Sequence, residues 1–578
     1  MTFEIARHVF SSIARSLLFA SVSVTAVAAT KVDLGGQGWT FRTTLEEKPI
    51  AVTVPHCWPA MSEYRKYIGV ATYEHDFSAP EVKPGQVVRL HFDAVYDVAT
   101  VWLNGRRLGT HEGGYTPFEF EVTKLLKTGQ NHLMLEVNNT PTVSSIPAIA
   151  TSHVSKDYPI YGSVSKGTIV GWMPYGGIVR PVSLLITDSV YLLGMKVDAK
   201  PDLTTGAAIL KVSARLHNSG ASRVTPDIHG SVAGIEVRFK KTPVPVGGDA
   251  EVTWSGTLKS THLWSVKDPF LYDAKLEIPG DETHAKIGVR EVRVKGTQLL
   301  LNGKPVYLFG ANRVSEDAKE GLRESDEIIQ RDMTDMLAVN MRMMRIAHYP
   351  QAPALLDFAD AHGMLLIPEA GNWNLSAWQM ADPEIRERWK KQHREMMEQD
   401  WNHPSVIAWS VGNEYESYTK DGIDWTRDMR AFTLGIDPTR LITFASRFTQ
   451  ESVVKTGIDE ASQYSDFVSI NTYGNYAKSF DRVHTLYPDK PIFVTEFGKM
   501  GEPGPHDPQR IKDITEAVEA MKARPWMIGG SLWTWNDYRS LISGTPANGI
   551  RSWGVVNLER EHRDSWAVVQ KLFATELP

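Results

Sequence analysis

The sequence predicts a multidomain β and α/β protein, two β-sandwiches followed by a C-terminal (β/α)8 TIM barrel. Three observations carry this. The 578 residues are too many for one hydrophobic core. The front half alternates apolar and polar residues with period two between Gly, Pro and Asn turns. The back half switches to short apolar strands separated by stretches of helical period.

In chain order, residues 1–29 read as an export signal. Arg7 and Arg15 precede an apolar run, Leu17 to Val27, that ends in Ala26-Val27-Ala28-Ala29. The run is too short to stay in a bilayer, so no membrane anchor is expected. The expected location is secreted and periplasmic, after cleavage of the signal peptide. Residues 30–188 hold segments such as Gly69–Phe77 and Ala99-Thr100-Val101-Trp102-Leu103, the latter followed by the turn Asn104-Gly105. These indicate an antiparallel sandwich. Residues 189–293 form a second strand-rich segment of immunoglobulin-like size.

Residues 294–578 contain eight predicted strands: 306–312, 343–349, 364–370, 406–414, 441–447, 467–473, 492–498 and 529–537. Helical stretches lie between them. Ile329, Met333, Met336 and Leu337 form one face of 326–340, Gly363 closes 352–363 as a C-cap, and Ile511, Ile514, Val518 and Met521 form another stripe. Eight such units fit a (β/α)8 barrel better than a doubly wound sheet, which normally has fewer strands.

Composition narrows the function. With 42% hydrophobic and 22% charged residues, and a net charge of -6, the chain has no basic stripe, so nucleic acid is excluded as a partner. The 17 Trp and 19 Tyr suit a protein that stacks rings on sugars, although β-rich cores use them too. Cys57 is the single cysteine, so no internal disulfide and no Cys/His zinc cluster can form.

In a (β/α)8 barrel the reacting groups sit at the C-terminal strand ends. The fourth strand stops at Asn413-Glu414, and the seventh ends Thr495-Glu496-Phe497-Gly498. Either glutamate alone would serve equally as an acid at the start of the following helix. Two of them on opposite sides of one barrel mouth point to glycoside cleavage, which needs a proton donor and a nucleophile around an oxocarbenium-like transition state. Carboxyls about 5–5.5 Å apart attack directly and retain configuration. The charge of one also favours the protonated form of the other.

These residues resemble glycoside hydrolase family 2, which includes β-galactosidases, β-glucuronidases and β-mannosidases. The resemblance rests on Asn413-Glu414, on Thr495-Glu496-Phe497-Gly498, and on Leu301-Asn302-Gly303-Lys304-Pro305 entering the first strand. Tyr175-Gly176-Gly177-Ile178-Val179-Arg180-Pro181 is similar to the end of the family's jelly-roll, sugar-binding-like domain. The order jelly-roll, immunoglobulin-like sandwich and barrel matches the three segments above. The resemblance implies Glu414 as acid/base, Glu496 as nucleophile and Asn413 as a partner of the sugar 2-hydroxyl. It further implies that Tyr473 bonds the nucleophile and that Arg345 and His348 lie near the nucleophile and the sugar. Glu369 is expected to bind or support, and Trp535 to form an aromatic floor.

The departures are equally specific. Asn312-Arg313-Val314-Ser315-Glu316-Asp317 lacks the histidine common after the first strand. Pro368 stands where Asp is common, and Gly371-Asn372-Trp373-Asn374 lacks a magnesium-holding histidine, so no metal and no cofactor are expected. The Asn-x-Lys motif of the β-glucuronidases is replaced by Asn548-Gly549-Ile550-Arg551-Ser552-Trp553. The leading expectation is a retaining exo-β-glycosidase of β-galactosidase type, acting on an oligosaccharide or glycoside. The alternative is a β-glucuronidase or β-galacturonidase with Arg539 or Arg551 gripping the carboxylate. A non-catalytic carbohydrate-binding protein is the remaining reading, and retention of two close carboxyls speaks against it. The sequence leaves the oligomeric state open, a homo-oligomer included.

Overall fold

The computed structural model of the chain describes residues 29–149, 172–542 and 544–577. The expected export signal lies outside the described residues except for Ala29.

The first sandwich packs two antiparallel sheets. One has strands Thr30–Asp33, Val182–Asp188, Gln86–Phe92 and Phe118–Glu121 side by side, and the other has six, centred on Val70–Ser78 and Gln130–Asn138. The period-two pattern becomes alternating burial along Gln130–Asn138, which places Leu133, Leu135 and Val137 in the core with Trp39, Phe41 and Tyr73. Asn104 and Gly105 turn the hairpin between Val98–Leu103 and Arg106–Glu112 with φ of 54° and 82°, the left-handed pair that a tight two-residue hairpin requires. The second sandwich has three strands (Val190–Asp202, Ala207–Asn218, Gly248–Leu258) against four (His229–Val232, Ile235–Arg238, Tyr272–Ile278, Asp281–Ile287). Leu210, Val212, Leu216, Val232 and Leu276 fill the space between them.

The barrel strands are β1 (Leu308–Asn312), β2 (Met343–Ile346), β3 (Leu365–Pro368), β4 (Ala408–Asn413), β5 (Leu441–Ser446), β6 (Val468–Asn471), β7 (Ile492–Phe497) and β8 (Met527–Trp533). β4 to β8 and β1 pair in parallel, β2 pairs with β3, and the ring closes through the Arg342 amide on Phe309 O and parallel bridges from Leu366 and Glu369 to Val406 and Ser410. Helices cover every connection but one: the passage from β5 to β6 uses two 3-10 turns, Gly457–Asp459 and Ala461–Tyr464. The hairpin Val292–Lys295/Gln298–Leu301 packs Val292, Leu299 and Leu301 against Leu308, Met343, Leu365, Ile407 and Phe493, and so plugs one end of the barrel. The predicted helical faces are present: Ile329, Met333 and Met336 are buried, as are Ile514, Val518 and Met521, and Gly363 caps its helix at φ 69°.

All but the first of the predicted strands overrun the observed ones by one to four residues at their C-terminal ends, and the first, third, fourth and sixth also begin one or two residues early. The extra C-terminal residues belong to the loops that carry the site, where single backbone bonds such as Glu414 N to Ala445 O, Thr472 N to Glu496 O and Trp535 N to Asn312 O replace the continuous ladder.

Closure between β1 and β2 depends on a missing side chain. A Cβ on Gly310 would lie 1.2 Å from the Met343 carbonyl oxygen. Gly310→Ala is therefore expected to spread these strands and cost about 3 kcal/mol, read as a lower midpoint in urea unfolding; an unchanged midpoint would show that the barrel yields there freely.

Candidate active site

Both glutamates sit where the ladder slips. β4 loses register with β5 between Ser410 and Asn413, and β7 loses register with β8 between Val494 and Phe497. Such irregularities re-aim the side chains beside them. Glu414 follows β4 at φ 49°, a left-handed conformation that costs a residue bearing a Cβ about 1–2 kcal/mol. Its amide donates to Ala445 O at 2.8 Å, which holds the bend and leaves the carboxyl at the cavity.

Beneath the cavity lies Arg345, wholly buried at the end of β2. Its Nη1 donates to Glu496 Oε1 at 2.7 Å, and its Nη2 donates to Glu369 Oε2 at 2.9 Å and to Asn413 Oδ1 at 2.8 Å. The Tyr473 hydroxyl donates to the other oxygen of Glu496 at 2.5 Å. Glu369 also accepts from Ser410 Oγ at 2.6 Å and pairs with His348 Nδ1 at 3.1 Å, while His348 Nε2 stands 3.7 Å from Glu496 Oε1. Asn471 Nδ2 donates to both Asn413 Oδ1 (2.9 Å) and Glu414 Oε1 (3.0 Å), and Thr495 Oγ1 donates to Asn471 Oδ1 at 2.7 Å. Asn413 thus commits its carbonyl oxygen inward, which turns its amide toward the cavity.

The electrostatics follow from this packing. Burial pushes the Glu496 carboxyl up; Arg345 and His348 pull it back, the Glu414 charge pushes it up again, and the Tyr473 bond lowers it. Burial also opposes ionisation of Glu369, but Arg345, His348 and Ser410 together hold it below the usual carboxylate range.

The cavity measures about 650 Å³. Glu414, Glu496, Asn413, Tyr473, His348 and Arg551 line it, and Arg345 and Glu369 support it from below. Val314 reaches the cavity in place of the absent histidine. Arg551 lies over the Trp553 ring at 6.0 Å, and its buried Nε has no hydrogen-bond partner among the described residues. Arg539, the other carboxylate candidate, is spent on Glu316 through Nη1 (2.8 Å) and its own amide (2.7 Å).

Trp535 is not the aromatic floor. It is fully buried in the cluster between strands and helices, and Trp533 lines the cavity instead. β8 ends at Trp533, so the two-residue parity that would place both indoles on one face no longer holds beyond it. Trp533 stacks on His348 at 5.2 Å, and Trp172, from the first sandwich, stacks on His348 at 5.5 Å. The sequence reading missed Trp533, Trp172, Asn471 and Arg447. Trp533 and Asn471 lay within the predicted strands 529–537 and 467–473, and Arg447 ended the predicted strand 441–447, whereas nothing local marks Trp172, which enters from another domain.

Among the described residues, Asp357, Asp360 and His403 form the one group able to gather around a metal ion. Its members already bond one another and the chain: His403 Nδ1 pairs with Asp360 Oδ2 at 2.6 Å, and Asp360 Oδ1 accepts the Ser405 amide at 2.9 Å. None of them lines the cavity.

Three family models match the chain in succession: "Glycosyl hydrolases family 2, sugar binding domain" over residues 38–187, "Glycosyl hydrolases family 2" over 190–290, and "Glycosyl hydrolases family 2, TIM barrel domain" over 292–542. The chain is similar to a beta-glucuronidase of Sus scrofa, 24% identical, with 92% of this chain and 85% of that one covered. Among solved structures it resembles a family 2 beta-galacturonidase from Eisenbergiella tayi bound to galacturonate (TM-score 0.83, 22% identity, 95% and 97% covered). It also resembles a Bifidobacterium dentium beta-glucuronidase complexed with coumarin-3-O-glucuronide (TM-score 0.82, 23% identity, 94% and 97% covered).

Arg345 pairs with two buried carboxylates, Glu369 and Glu496. Arg345→Met is expected to cost about 3–5 kcal/mol of stability by stranding Glu369 and Glu496, and a second change, Glu369→Gln, is expected to restore part of it. Denaturant titration checks both; a single variant as stable as the parent would contradict the charge balance.

Proposed function

Given that this chain belongs to glycosyl hydrolase family 2, we propose that it is a retaining exo-β-uronidase, releasing a terminal β-linked glucuronate or galacturonate from a glycoside. One observation carries the uronide assignment: the Arg551 guanidinium borders the cavity with its Nε unpartnered, on an aromatic ring that orients it. A planar fork of donors suits a carboxylate, whereas the neutral C6 hydroxymethyl of galactose can accept a hydrogen bond but brings no charge to meet the guanidinium. The names of the relatives, β-glucuronidase and β-galacturonidase, support this reading better than the β-galactosidase type that the motifs alone favour.

The mechanism follows from the donors around each carboxyl. Arg345 and Tyr473 donate to Glu496 and favour its ionised form, the form that acts as nucleophile, and Glu414 on the facing strand end takes the part of proton donor. Glu496 then attacks the anomeric carbon while Glu414 protonates the departing oxygen, and a covalent glycosyl-enzyme forms. Glycosylation removes the Glu496 charge. Glu414, now ionised, takes a proton from the incoming water, which displaces the sugar with overall retention. Asn413, with its carbonyl held by Arg345 and Asn471, offers its amide to the sugar 2-hydroxyl. His348, sandwiched between Trp172 and Trp533, presents a fixed ring edge to the sugar.

A panel of aryl β-glycosides tests the sugar. Uronides are expected to be the preferred substrates, and Arg551→Ala to lower their kcat/KM by about 10- to 200-fold, the worth of a hydrogen bond to a charged group. Preference for galactosides, indifferent to Arg551, would return the assignment to the β-galactosidase type. Tyr473→Phe removes a donor that favours ionised Glu496. Since the ionised form is the nucleophile, the acid limb of the kcat/KM profile is expected to move to higher pH, and a limb that stays in place or moves lower would separate Tyr473 from the nucleophile.

A further inference from the structure

A retaining mechanism presses the two halves of its substrate against different carboxyls. The anomeric carbon faces Glu496, and the leaving oxygen must lie against the proton donor. Glu414 leans toward one corner of the barrel mouth: its Oε1 is held by Asn471 Nδ2 at 3.0 Å, and its Oε2 lies 3.9 Å from Arg447 Nη1. Beyond Arg447 the wall is built from the loop after β5 and the first turns of the helix Tyr476–Leu486.

Most of the charged side chains on that wall are cations: Arg447, Lys478 and Arg482. Lys478 and Arg482 stand one helical turn apart and both line the cavity. Arg482 Nη2 donates to the backbone carbonyls of Glu451 and Val454, so its charge is met by no carboxylate there. Lys478 is exposed and makes no ion pair among the described residues. Glu451 is the acidic side chain on this wall besides Glu414 itself, and Gln450 is tied by its Nε2 to Asn471 O at 2.6 Å. A cavity of about 650 Å³ lies within the range of about 300–1,000 Å³ that encloses ligands larger than one sugar ring, so part of the leaving group lies inside it.

We propose that Arg447, Lys478 and Arg482 form a leaving-group site selective for anionic aglycones, such as an acidic oligosaccharide that carries a carboxylate or sulfate next to the scissile bond. The inference rests on Glu414 as the proton donor and is independent of which sugar is released. Cations on an open wall raise the encounter rate and affinity of an anionic ligand only modestly, and salt screens the effect.

The test uses the full chain and aryl β-glycosides of whichever sugar the enzyme prefers, with the phenol bearing a meta-carboxylate, a meta-sulfonate or, as the neutral control, a meta-methyl ester. The quantity read is the ratio of kcat/KM for each anion to that for the ester, compared between enzymes so that intrinsic leaving-group reactivity cancels. Lys478→Ala is expected to lower the ratio by about 5-fold and Lys478→Glu to lower it further, with added salt eroding it in the parent. Movement for only one of the two anions would assign that anion. Ratios unmoved by both substitutions and by salt would overturn the proposal. Equal loss of rate by Glu414→Ala on good and poor leaving groups would instead remove its premise, a result distinct from an unmoved ratio.

Discussion

The site depends on one buried cation. Arg345 is fully enclosed, and an enclosed guanidinium persists only where anions and hydrogen-bond acceptors surround it. Glu369 from the end of β3, Glu496 from β7 and the Asn413 carbonyl from β4 answer that need together. Each is thereby fixed in direction by electrostatics rather than by its own loop. Burial and the nearby Glu414 raise the Glu496 carboxyl, and Arg345, His348 and Tyr473 act against that rise.

A second buried relay joins the domains. Arg180 of the first sandwich donates to Glu324, Glu324 accepts from Arg313, and Arg313 and Arg560 share Asp332. Burial acts against the charge on Asp332, yet Arg560 and Arg313 hold its carboxyl down to about 2. Arg180 also donates to the Tyr115 and Pro350 carbonyls, which ties the sandwich to the loop after β2. This clamp explains how a residue so far along the chain as Trp172 can stack on His348 with the definition that a sugar site requires. The sandwich is thus a wall of the active site as well as a neighbour of it.

Much of this was legible beforehand because it is local. Asn104-Gly105 announces its turn, Gly363 its helix end, and the apolar runs before Glu414 and Glu496 their barrel strands, since each depends on the conformational preferences of a few adjacent residues. Trp535 was misplaced for the converse reason. Which of two indoles faces a cavity depends on where β8 stops, and pairing with β1 and β7 decides that.

The sequence by itself determined the period of each element, the order of three domains and the residue types that glycoside chemistry requires, because these follow from backbone preference and side-chain chemistry along short stretches. Only the tertiary structure decided that Arg345 binds two carboxylates at once, that Arg539 is consumed by Glu316 while Arg551 is left at the cavity, and that Trp172 crosses from another domain. Those outcomes are settled by which charges are buried together, and burial is a property of the closed barrel and its clamp, not of any segment read alone.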